Sequence, residues 1–317
     1  MKGAALVLLL AGCVSPPAAP GPMPDWEARF RKPASGWRGA DAVYSVPLSG
    51  DRILWLFGDT FVTAPDAKGR EGASFIRNSL AVQLLPGDPR FFWRTKAGKP
   101  ADALECPVPG EWLWPLSGLR IGPVLRLFAM RLKAQGSCAF GFAVTGNALL
   151  SVDNPDDPPD EWRIRSKELT FPGCTFGAAS LLADDAVYVY GHRKGSGDLL
   201  VARTRPELLD DFSTWSFQGP AGWSGLDGAG VLFREAATEM SVFRLGDRFV
   251  AVTSAPFLSP DILVRTSPGP EGPWSAPRLA TMPSTIAWSL VATWSLLVMG
   301  VSRAMVGSSG LGEYCVL

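Results

Sequence analysis

The sequence predicts an all-β chain folded as a β-propeller, and three observations predict it. The 317 residues include 34 Gly, 28 Pro and 12 Trp, a density of turn formers and flat side chains that suits many short strands rather than long helices. Four tryptophans, Trp93, Trp162, Trp215 and Trp274, each close a turn-rich run (GDPRFFW, DPPDEW, DDFSTW, GPEGPW). Each follows the last by about 50 to 70 residues, the spacing of blade repeats. Between these marks one grammar recurs: a strand, a turn containing Gly or Asp, and a second strand ending on a small residue.

The chain opens on an address. Lys2 is a minimal positive region, residues 4–10 are apolar, and Leu10-Ala11-Gly12-Cys13 reads as a bacterial lipobox, whose cysteine carries the lipid after cleavage. So short an apolar run does not span a bilayer. Residues 1–13 are expected to be a lipoprotein signal peptide with Cys13 lipidated, and residues 14–35, which begin VSPPAAPGPMP, a Pro-rich, extended tether. The expected location is the bacterial cell envelope, lipid-anchored, on the periplasmic or outer-membrane face. Cys106, Cys138 and Cys174 show no C-x-x-C spacing and His192 is the only histidine, so no zinc site is expected. Unpaired thiols are the default reading, with a Cys138 to Cys174 bridge as the alternative.

Blades one to four are expected over residues 36–280. In the first, Ser49-Gly50-Asp51-Arg52 supplies turn chemistry between the alternating Val43, Ser45 and Pro47 and the aromatic, β-branched run 53–57. The second hairpin, 111–131, is headed by Trp112 and Trp114; the third, 176–193, ends on His192 and Arg193; the fourth spans 239–255. Further apolar runs at 78–85, 199–203 and 261–266 bring each unit to about four antiparallel strands, as a blade requires.

Aligning the units places Asp41 and Glu239 at equivalent positions, each before the first strand of its unit. The first strand of every blade lines the central channel, so acids there point into one funnel. Asp59, in Gly58-Asp59-Thr60 at the other end of the first hairpin, joins them. Carboxylates facing across a sugar-sized gap are the equipment of glycoside hydrolysis. Candidate catalytic residues are therefore Asp41 and Asp59, sharing base or nucleophile and orienting roles, and Glu239 as proton donor, its pKa raised by neighbouring acids and partial desolvation. Candidate substrate-binding residues are Trp112, Trp114, Arg77, Asn78 and His192, with Glu105 and Glu111 as reserve proton donors. Each has a local competing role: strand-end aspartates cap turns, tryptophans pack between blades, Arg77 and Asn78 satisfy backbone groups, and a lone strand histidine is structural. No cofactor or metal is expected, with calcium in the channel left open.

The pattern WxGxDxxYSxPL…LWLFGDT…RNSxxVQ, carried by Trp37, Gly39, Asp41, Tyr44 to Leu48, Leu54 to Thr60 and Arg77 to Gln83, resembles the bacterial FGDT-signature domain family of largely unknown function. That family is similar to the five-bladed propellers of arabinanase and levansucrase type, and a related branch includes endo-D-arabinofuranosidases. The match covers residues 36–85 strongly and extends weakly to residue 278 or so. The resemblance implies five blades, Asp41 as the channel acid that begins the first, and Asp59 as the acid of the FGDT turn; it assigns nothing to Glu239.

The C-terminus departs from this pattern, for residues 279–302 contain no charge and no strand alternation. A membrane helix, a buried closing strand with a tail, or a reading-frame break near residue 280 that displaces the fifth blade would each account for it. The last is the reading adopted, so the expected fold is a five-bladed propeller whose last blade is incomplete or aberrant, with residues 281–317 set apart. Lys plus Arg number 30 and Asp plus Glu 30, with only 19% of residues charged, and no basic cluster would neutralise a phosphate backbone; nucleic acid is not an expected partner. The expected function is that of an envelope-anchored, monomeric, glycoside hydrolase-like propeller acting on a furanoside-containing or related polysaccharide. The alternative is a non-catalytic glycan-binding or scaffolding lipoprotein.

Overall fold

The computed structural model describes residues 29–30 and 35–279, apart from 66, 68, 137–140 and 256–260. Cys13 and its lipobox, most of the tether, Cys138 with its pairing to Cys174, and segment 281–317 lie outside the described residues. The first region comprises β1 (Trp37–Ala40), β2 (Val43–Pro47), β3 (Arg52–Phe57), β4 (Thr60–Val62), β5 (Ser74–Ile76), β6 (Ser79–Leu84) and β7 (Pro89–Phe92). Of these, β2-β3-β6-β7 form an antiparallel sheet and β1-β4-β5 a smaller one beside it. A hairpin of β8 (Arg94–Lys96) and β9 (Lys99–Ala101) follows.

The second sheet is a meander of β10 (Glu111–Ile121), β11 (Val124–Ala134), β12 (Phe142–Val152) and β13 (Ile164–Leu169). The third runs through β14 (Cys174–Ala183), β15 (Ala186–Arg193), β16 (Leu199–Thr204), β17 (Ser216–Gly219) and β18 (Gly222–Ser224). The fourth contains β19 (Met240–Leu245), β20 (Arg248–Ser254), β21 (Ile262–Ser267) and β22 (Arg278–Leu279). All four hairpins read from the sequence are present, with the first pairing Val43 to Phe57 and Pro47 to Ile53. Among the described residues no helix is long and apolar enough to cross a membrane.

The first strands of the four sheets pack against one another in chain order, β2 on β10, β10 on β14, and β14 on β19. Between the sheets lies the core. One cluster joins the first three sheets through Leu54, Leu56, Leu113, Phe128, Phe176 and Val189; a second joins the third and fourth through Tyr190, Val201, Met240 and Phe249. Trp37, Trp55 and Phe57 pack on the opposite face of the first sheet. Strand β3 is thus covered on both sides, which is why Leu54 to Phe57 form an unbroken apolar run instead of alternating. Burying each such side chain contributes about 1.5 to 3 kcal/mol.

Two inner strands are bulged at glycine. The β10 register shifts between Pro115 and Gly118, and the β14 register between Phe176 and Ala179, around Gly177. A Cβ on Gly177 would collide with Phe128 and would have to adopt φ +112, and one on Gly118 would meet Arg126 O at 2.8 Å. Extra residue and missing side chain together bend the strands and let adjacent sheets close on each other. Ser117 Oγ crosses this seam to donate to Gly177 O at 2.7 Å.

Candidate active site

A third irregularity, at the mouth of the first hairpin, aims Asp41. The β2/β3 ladder ends at Val43 and Phe57, and beyond it Gly58 N–H is shared between the carbonyls of Asp41 (3.0 Å) and Ala42 (3.3 Å), while Asp41 N–H donates to Asp59 O at 3.1 Å. Two residues thus face one, the pattern of a bulge. Ala42 sits at φ +43, a left-handed conformation that costs a non-glycine residue about 1 to 3 kcal/mol. Consequently Asp41 is separated from β2 by one strained residue, where the sequence had placed it directly against the strand. A Cβ at Gly58 would collide with Asp41 Oδ1, so the glycine of the motif makes room for the carboxyl.

Asp59 is presented by a turn tied from below. Thr60 Oγ1 donates to Gly58 O at 2.7 Å and lies 2.9 Å from Ser79 Oγ, which in turn accepts from Trp37 Nε1 at 3.2 Å; Thr60 and Ser79 are fully buried. The Asp59 carboxylate does not cap its own turn. Its Oδ1 accepts from Trp114 Nε1 at 2.9 Å and its Oδ2 from Arg77 at 3.3 Å. The Arg77 guanidinium is sandwiched, 4.1 Å from the Trp112 ring centre and 5.0 Å from that of Phe75, and its backbone N–H donates to Asp102 Oδ1 at 2.7 Å.

Glu239 comes from the fourth sheet, immediately before β19. Its segment is held by several hydrogen bonds: Tyr44 Oη donates to Thr238 O at 3.1 Å, Ala237 N–H to Thr253 Oγ1 at 3.0 Å, Ala236 N–H to Gly197 O at 3.1 Å, and Ser254 N–H to Glu239 O at 3.4 Å. The Tyr44 bond joins the first sheet directly to the fourth. His192 underlies the same segment, buried in β15, with backbone contacts at Ala236 and Ala237.

The three acids share one electrostatic site. Burial, then the neighbouring Asp59 and Glu239 charges, push the Asp41 carboxyl up to about 7 against the pull of backbone amides at Asp59 and Asp41 itself. Its Oδ1 is buried without a hydrogen-bond partner. Burial raises Glu239 as well. Asp59 is raised by burial, with Trp114 and Arg77 holding it back. The Tyr44 phenol, enclosed and facing both Glu239 and Asp41, is pushed well above its usual range. A carboxyl poised near neutrality beside a second protonatable acid and a third held by cationic and indole donors is equipped for proton transfer in both directions.

A family model described as a domain of unknown function, DUF5005, matches residues 25–304. The chain belongs to the DUF5005 family. No curated protein matches the DUF5005 chain. Among solved structures it is similar to a protein of Bacteroides ovatus ATCC 8483 described as a putative hydrolase, at 18% identity and TM-score 0.64 over 81% of this chain and 73% of that one. It is also similar to the exo-β-1,3-galactanase of Phanerochaete chrysosporium with galactose, at 10% identity and TM-score 0.50 over 79% of this chain and 52% of that one. At such identities the likeness is one of fold, an all-β architecture shared with these two proteins.

In this DUF5005 chain the other candidates divide. Trp114 is half-buried and edge-on to Phe142, and Trp112 lies buried beneath Arg77. Asn78 is fully buried, its amide donating to Leu104 O and Leu113 O at 2.9 Å each and accepting from Leu104 N–H at 2.6 Å, so it straps the first sheet to the second. Burial drives His192 down to about 4, and its Nε2 has no hydrogen-bond partner. Glu105 pairs with Arg94 at 2.5 Å, and Glu111 with the buried Arg131 at 3.7 Å. Cys106 and Cys174 are free thiols, both raised by burial. Among the described residues no group of three or more His, Cys, Asp or Glu side chains is placed to hold a metal ion. Sequence reasoning missed Tyr44 as the clamp on Glu239; its signal was a phenol in the middle of an apolar strand, which needs a partner when buried.

Proposed function

We propose that the chain is a glycoside hydrolase-like, five-bladed propeller that cleaves a furanoside-containing or related polysaccharide at the cell envelope. One observation carries this reading: Asp41, Asp59 and Glu239, encoded on two distant sheets, converge closely enough that the Asp41 carboxyl, raised first by burial, is raised further by both of the others. The fold likeness to a galactanase supports a polysaccharide ligand in general. Glu239, raised by burial, holds the proton that the leaving glycosidic oxygen requires. Asp41, near 7, has the basicity to take a proton from water at working pH, where a base is most effective. Asp59, held by Arg77 and Trp114, orients that base and supplies part of the charge that raises it. Arg77 and Trp114 are the flanking groups available to sugar hydroxyls. Anchoring rests on the lipobox ending at Cys13, and a Cys13→Ser chain is expected to be released from the membrane fraction.

The test is hydrolysis of arabinans, galactans and other envelope polysaccharides by the wild type, Asp41→Asn and Glu239→Gln. Each variant is expected to lose about 100-fold or more in kcat, the usual worth of a positioned acid or base. Loss of Asp41 should also remove the rise of kcat/KM toward pH 7. Equal rates from all three proteins would remove these acids from the mechanism. Binding by all three without hydrolysis would make the site a glycan receptor.

A further inference from the structure

A cavity of about 1030 Å³ lies between the outer parts of the first and second sheets, lined by residues of β6 to β8 on one side and β12 to β13 on the other. None of its lining comes from β2, β10, β14 or β19, so it is separate from the carboxyl cluster. Its walls include Phe92, Trp93 and Trp162, and its polar groups include Arg94, Glu105 and Asp160. Trp93 and Trp162 are two of the four repeat-marking tryptophans, and the central site uses neither.

We propose that this cavity is a second carbohydrate-binding site, taking a neutral oligosaccharide. The choice of ligand class rests on the glycan reading of the central site; the cavity's chemistry supports it independently. A sugar ring presents an apolar C–H face and a rim of hydroxyls, and it is recognised by flat aromatic surfaces bordered by fixed donors and acceptors. Both are present. The Trp162 ring is fixed by its Nε1 donating to Asp157 O at 2.9 Å. Arg94 is fixed by donating to Asp102 O at 2.8 Å and to Glu105 at 2.5 Å. Glu105 also pairs with Lys96 at 3.8 Å, so Arg94 and Lys96 balance Glu105 and Asp160 and the cavity has no net positive charge with which to select a polyanion such as a uronate polymer. The volume is at the upper end of the range for small-ligand sites, about 300 to 1,000 Å³, which suits several rings rather than one.

The experiment is a tryptophan-fluorescence and calorimetric titration of the full chain with linear neutral pentose and hexose tetrasaccharides. Glu207→Gln, which alters an exposed carboxylate belonging to neither the cavity nor the carboxyl cluster, is expected to bind as the wild type does. Trp162→Ala should weaken binding tenfold or more, and the Glu105→Gln/Asp160→Asn double variant, which leaves the aromatic packing intact, should do the same with an unchanged circular dichroism spectrum. The proposal is overturned if the wild type binds none of these sugars, if both cavity variants retain its affinity, or if a proline-rich peptide binds there in a Trp162-dependent way and the sugars do not. A chain that fails to hydrolyse any polysaccharide but binds tetrasaccharide through Trp162 would sink the central reading and leave this one standing.

Discussion

Asp41 holds a carboxyl under conditions that oppose its charge: enclosure, two neighbouring acids, and an oxygen without a partner. Its folded-state pKa, near 7, lies above its unfolded value of 3.8. The native state therefore binds the proton more tightly, and the associated stability is fully present below about pH 4 and lost as pH rises through 7. Asp41→Asn removes the titration. The variant should match the wild type near pH 4 and exceed it by up to about 4 kcal/mol above pH 7, since each tenfold difference in proton affinity between the folded and unfolded chain is worth roughly 1.4 kcal/mol. Urea unfolding across that range measures it. Identical pH profiles would mean that the carboxyl is solvated. His192 works in the opposite sense, because its folded pKa of about 4 lies below the usual 6.5. Its neutral form is at no disadvantage above pH 6.5, and stability is lost as the unfolded chain takes up a proton below that. The pair Asp41→Asn and His192→Gln should separate the two slopes.

At the scale of the element, strand and turn patterns account for the hairpins but not for their bends. Gly177 meets two demands at once, a backbone at φ +112 and contact with Phe128 that leaves no space for a Cβ. Gly177→Ala is expected to cost about 2 to 4 kcal/mol from backbone strain and overpacking together, read as a lower denaturation midpoint with an unchanged slope. A full-stability Gly177→Ala protein would show that β10 and β14 are not held at this seam. The Asp41-Ala42 bulge belongs to the same class of device, yet nothing in the letters announces it. An alanine in the left-handed region runs against local propensity, and only the fixed positions of Asp59, Gly58 and Phe57 on the opposite strand enforce it. The alternation of Val43, Ser45 and Pro47 and the turn at Gly50 were legible because period and turn chemistry are local properties.

Across the whole molecule, long-range polar straps decide which residues meet. Asn78 ties the first sheet to the connection and strand that begin the second, and Tyr44 ties the first sheet to the Glu239 segment of the fourth. Tyr44→Phe keeps the buried ring and deletes the donor. It should lower stability by about 1 to 3 kcal/mol, the cost of an unsatisfied buried carbonyl, and reduce kcat with little change in KM, because Glu239 loses its restraint. A loss confined to stability would leave Tyr44 with a structural role alone.

By itself the sequence determined the all-β class and the four hairpins, and it singled out Asp41, Asp59, Glu239, Arg77 and Trp114, which the fold brings near one another. Strand periodicity, turn chemistry and the repetition of a unit are written residue by residue, and equivalent positions in repeated units become neighbours once the inner strands pack. Tertiary structure alone decided the rest: that Asp41 is thrown out by a bulge and that Asp59 is held by Arg77 and Trp114. It also enclosed His192 beneath the Glu239 segment. These outcomes depend on which buried polar atoms find partners and how many charges share one desolvated volume, sums taken over residues up to nearly two hundred positions apart, which no local pattern records.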